Sequence, residues 1–91
     1  MLVVKLLGES TTVNAGSGSS VPNIDGLGAE FVMLQHSHSS DRLVEVRTGL
    51  GVTTGSMHIA GKDPIVIKKE RDDLVYSSSN DVYATSVVYQ G

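Results

Sequence analysis

Ninety-one residues suit one domain, close to the usual domain size of about 100–150 residues. The net charge of −3 argues against a non-specific nucleic-acid binder, whose affinity comes from neutralising phosphates. The absence of Cys excludes a disulfide framework and any Cys-based metal site. With 40% hydrophobic and 19% charged residues the composition is that of a folded domain, and four aromatics are too few for an aromatic-rich stacking platform.

The residue economy points to sheet. Val, Ile and Thr together number 23, against 8 for Ala and Glu. Branching at Cβ restricts χ1 and suits a pleated surface better than a helix. The acidic excess lies in the first half, where Lys5 and Arg42 face Glu9, Asp25, Glu30, Asp41 and Glu45; in residues 47–91 the charges balance.

In chain order, residues 2–7 form the first predicted strand, with Val3 and Lys5 on one face. The apolar start is too short for a signal peptide and is broken by Lys5. No stretch approaches the roughly 20 apolar residues of a membrane helix, so the expectation is a soluble protein with no membrane partner, used without secretion. Residues 15–28 then make a connection long enough to be functional or mobile. Its first half is small and polar, yet Val21, Pro22, Ile24 and Leu27 follow. These four are the candidate interface residues: the segment either folds back over the open end of its own domain or docks on a partner, ordering as it does so.

Residues 29–36 read as a strand, since Phe31-Val32-Met33-Leu34 is bracketed by Gly and Ser and no helix cap precedes it. Residues 43–48 alternate, with Val44 and Val46 inward and Glu45 and Arg47 outward. Residues 56–60 turn Met57 and Ile59 inward and expose His58. Residues 65–69 turn Ile65 and Ile67 inward, and residues 74–77 are a brief strand. The longest strand, residues 82–89, is partly apolar on both faces; it is central, or packs against a partner on its second side. Seven short strands separated by Gly, Ser and Asp turns predict one all-β domain over residues 1–91, a small β-sandwich or partly open barrel.

The motifs offer little chemistry. His36 and His38 share a face if residues 36–38 are extended, so both imidazoles could meet one ion. They run into a Ser-rich turn with Asp41 alone as a nearby third ligand, and read as surface histidines. Residues 68–73 mix Lys68, Lys69 and Arg71 with Glu70, Asp72 and Asp73, which reads as a solvated strand end and turn. The glycines of residues 49–55 and 55–63 miss dinucleotide and phosphate-loop spacing and lack the helix those sites need. Ser37, His38 and Asp41 are too close in sequence to promise a triad. The reading is no catalytic residue, no metal and no cofactor.

Residues 4–13, Val-Lys-Leu-Leu-Gly-Glu-Ser-Thr-Thr-Val, resemble the start of short virion proteins of tailed bacteriophages, those of cyanobacteria above all. The segments at residues 55–61, 65–69, 73–78 and 82–89 share the likeness, which omits residues 15–28. The resemblance implies a small, non-catalytic all-β module made in the host cytoplasm and carried on the virion. Its partners would be the major capsid protein, other virion proteins and further copies of itself. A head decoration or cement protein is the first expectation. A tail, neck or fibre accessory is the second, and a carbohydrate-binding sandwich the third. An iron-binding spike tip would place a His-x-His pair near the C-terminus, whereas here it lies mid-chain.

Overall fold

A computed structural model describes residues 3–14 and 16–90; the predicted positions of Leu2 and Ala15 lie outside the described residues. Over these residues the β-branched runs form eight strands and no helix. They are β1 (Val3–Leu6), β2 (Thr11–Val13), β3 (Phe31–Gln35), β4 (Arg42–Arg47), β5 (Thr53–Ile59), β6 (Ile65–Lys68), β7 (Leu74–Ser77) and β8 (Val82–Gln90). Two antiparallel sheets stack as an open sandwich, so of the two expected architectures the molecule adopts the sandwich.

The longest strand organises the larger sheet. Along one side of β8 lie β1, from Val3 opposite Gln90 to Leu6 opposite Val87, and β2, from Thr11 opposite Ala84 to Val13 opposite Val82. Along its other side lies β3, and β6 follows β3. The smaller sheet has the order β5-β4-β7. Its β7 edge is extended by Ser19, which exchanges backbone hydrogen bonds with Val75 at 3.1 and 2.8 Å.

The inner faces follow from this register. Val32 and Leu34 stand opposite Ile67 and Ile65 on β6, and opposite Ser86 and Ala84 on β8. With Val13, Val44, Ile59, Val75 and Val82 they form the core, while Met57, Ile65 and Ile67 pack half-buried against it. Most of these are valines, so the core is thin; each fully buried side chain contributes about 1.5–3 kcal/mol.

Several expectations change. Strand β2 was not anticipated, because three residues show no period of their own and extend only where β8 offers free ladder positions. Strand β5 starts at Thr53, ahead of the expected residue 56, and its first residues pair with β4 through an irregularity at Val46 and Arg47. Val46, expected inside, is half-buried beside that irregularity. His36, expected at the surface, is 3% exposed. Lys69, expected in solvent, is buried, and its Nζ donates to the carbonyls of Glu70 and Arg71. Burial pushes the Lys69 ammonium below its ordinary pKa.

The pairing also sorts the connections into two ends. Phe31 opposite Lys68 and Leu74 opposite Arg47 place the start of β3, the end of β6, the start of β7 and the end of β4 together. Residues 22–30, 48–52 and 69–73 therefore share one end, and residues 36–41, 60–64 and 78–81 share the other.

Candidate docking surface

The segment of residues 16–29 is built from backbone bonds. After the Ser19 bridge, the Ser19 hydroxyl accepts the Val21 N–H at 3.0 Å, and the Ser20 carbonyl accepts the Ala29 N–H at 3.2 Å. Val21 takes φ 50 and is completely buried. A β-branched residue in the left-handed region carries strain of about 1–3 kcal/mol, which burial of its side chain in the core offsets. Beyond it, residues 23–27 close a tight turn: Asn23 N–H donates to the Leu27 carbonyl at 2.7 Å and Gly26 N–H to the Asn23 carbonyl at 2.9 Å. The turn is moored by Ile24 N–H on the Leu7 carbonyl at 2.7 Å and by the Asn23 side chain on the Ser86 hydroxyl.

The four candidate interface residues thus separate. Val21 belongs to the core of its own chain, whereas Pro22, Ile24 and Leu27 stay at the surface, Ile24 at 87% and Leu27 at 53% exposure. The same end of the sandwich presents two residues that the sequence reading passed over as turn punctuation, Leu50 at 94% and Val52 at 60%. The missed signal was two large apolar side chains inside a glycine-rich turn, with nothing local to bury them. At the opposite end, among the described residues, the three connections carry no large exposed apolar side chain.

The histidines serve that opposite end. His36 Nε2 lies 2.8 Å from the Ile59 carbonyl, and its Nδ1 accepts the His38 N–H at 3.2 Å. Both ring nitrogens are engaged, so Nε2 carries the proton and the ring ties the end of β3 to β5. His38 is exposed and its Nδ1 accepts the Ser40 N–H. Among the described residues no three His, Asp or Glu side chains gather as a metal site. A hollow of about 310 Å³ beside the 22–27 turn, lined by Glu9, Ser10, Thr11, Pro22, Asn23 and Ile24, is an open surface depression.

The chain matches no known protein family, no curated protein and no solved structure.

Proposed function

We propose that the protein is a non-enzymatic structural protein of a tailed-phage virion, a head decoration or cement protein that docks on the capsid exterior through its apolar end. The observation that carries the reading is the polarity of the sandwich: Ile24, Leu27, Leu50 and Val52 protrude from one end, and the other end is polar. Burying one such side chain against a partner is worth about 1.5–3 kcal/mol. The turn that presents Ile24 is already hydrogen-bonded, which lowers the ordering cost of docking. The resemblance over most strands supplies the virion context, and the major capsid protein is the partner it implies.

Copies per particle test this reading. Quantitative staining of purified virions is expected to give a copy number near that of the major capsid protein. The Ile24→Asp/Leu50→Asp double variant is expected to lower occupancy at least about tenfold, since anchors of this kind dominate interfaces. A few copies per particle would move the protein to the tail, neck or fibre. Absence from particles would refute the virion reading.

A further inference from the structure

The two outer faces of the sandwich differ in kind. On the smaller sheet the register groups Leu43, Glu45, Arg47, Ser56, His58 and Tyr76. There Arg47 pairs with Glu45 at 2.7 Å and its guanidinium lies 4.3 Å from the Tyr76 ring centre. That face is mixed, with Leu43, Leu74 and Tyr76 beside the ion pair, and its charges are matched within the chain.

The larger sheet differs. Leu6 stands opposite Val87 and Val4 opposite Tyr89; Met33 lies between Thr85 and Val66, and Tyr83 lies beside Gln35. Phe31 has the same parity as Met33 and lies opposite Lys68. Three of the four aromatic residues of the chain therefore fall on this one face, and Lys68 at its β6 edge is the single charge among the described residues there. Leu6 is 65% exposed, Tyr89 47% and Tyr83 44%, while Val87 and Thr85 between the two tyrosines are covered by their neighbours on the same face.

We infer that this face is the interface of a homodimer, two copies packing their larger sheets together about a twofold axis. The occupant follows from charge and area. A chain of net charge −3 repels its own copy, so self-association is favoured where carboxylates are absent, and this face has none among the described residues. A face without charges offers nothing to orient a charged partner, but it is complementary to itself under a twofold, the usual symmetry of homo-oligomers. Sheets stack about 10 Å apart when both contact faces are apolar. The strands of this sheet are four (β1), three (β2), nine (β8), five (β3) and four (β6) residues long, which at about 3.3 Å by 4.8 Å per residue gives a footprint of about 400 Å². Side-chain relief raises this toward the roughly 600 Å² per partner at the lower limit of specific interfaces. The face adjoins the loop end at Leu6, whose neighbour Leu7 accepts the Ile24 N–H, but the dimer rests on the face's own residues and not on capsid docking.

Sedimentation velocity on the purified protein provides the test. The wild type is expected to be a dimer at about 100 μM, a concentration at which even micromolar affinity gives near-complete association. Leu6→Lys and Tyr83→Lys each put a charge without a partner into the apolar face, and each is expected to weaken dimerisation at least about tenfold. Leu50→Lys, at the loop end, is expected to leave the dimer intact. Circular dichroism establishes that each variant folds; Tyr83, on the rim of the ladder, serves if Leu6→Lys does not. A monomeric wild type would overturn the inference, including one that binds a glycan on the same rings. So would a dimer indifferent to both face substitutions, as edge-to-edge pairing through β1 or β6 would give, or one lost on Leu50→Lys.

Discussion

The two ends of the sandwich each close three connections, yet they do so by different means. At the polar end the side chains turn inward to hold the turns. His36 reaches the Ile59 carbonyl, Arg42 grips Asp81 through Nε and Nη2 at 2.9 Å each, and Ser79 bonds the same carboxylate. At the apolar end the backbone does most of this: Thr48 N–H meets the Val52 carbonyl at 2.8 Å, Asp73 N–H meets that of Glu70 at 3.1 Å, and Asn23 meets Leu27. The buried Lys69 ammonium adds its bonds to the carbonyls of residues 70 and 71. Where backbone bonds already close the loops, apolar side chains are left free to project. That freedom is what the proposed docking role rests on.

The largest effects are expected where each end is cinched by a close backbone approach. A Cβ on Gly28 would run into the Arg71 carbonyl oxygen, and one on Gly61 into the His38 carbonyl oxygen. Neither obstacle is a flexible side chain, so Gly28→Ala and Gly61→Ala are each expected to cost about 1–3 kcal/mol or more in urea unfolding. A neutral Gly28→Ala beside a severe Gly61→Ala would show that the apolar end is clamped more loosely than the polar one.

A smaller, pH-dependent effect belongs to the polar end alone. The Arg42 guanidinium, with help from Ser79, holds the Asp81 carboxyl well below its ordinary range. A depressed carboxylate contributes stability that is fully present above its unfolded pKa, near 3.9, and is lost as pH falls through that value toward the lower folded one. The gap in melting temperature between wild type and Asp81→Asn is therefore expected to be constant above about pH 5 and to shrink below about pH 4. Parallel curves through the acid range would remove the Arg42–Asp81 pair from the means by which this end is held. The smallest effects are expected of Ile24→Ser and Leu50→Ser, within about 0.5 kcal/mol of wild type. A loss above about 1 kcal/mol would mean that these side chains stabilise their own chain and are not reserved for a partner.

Part of the site was legible and part was not. Ile24 and Leu27 stood out because apolar side chains in a Gly- and Ser-rich connection need a surface, a property local to the segment. Leu50 and Val52 were hidden by their flanking glycines, which invited a turn reading and nothing more. Val21 could not be separated from its neighbours, since its burial depends on the bridge between Ser19 and Val75, 56 positions apart in the chain. The two-sided apolarity of residues 82–89 left a central strand and a partner on the second side both open, and the pairing of β8 with β1, β2 and β3 shows the central position.

The amino-acid sequence by itself determined the all-β class, most strands and which residues alternate within each, because Cβ branching and the period of two act over a few neighbouring residues. Val44 against Glu45, and Ile65 and Ile67 against Lys68, needed no partner to be assigned. Only the tertiary structure decided that His36 and Lys69 are buried, that β2 exists, and that Phe31, Tyr83 and Tyr89 meet on one face. It alone brought the apolar loop tips to one end. These features depend on register between strands far apart in the chain, and register is chosen by the summed burial of whole faces rather than by any local run of residues.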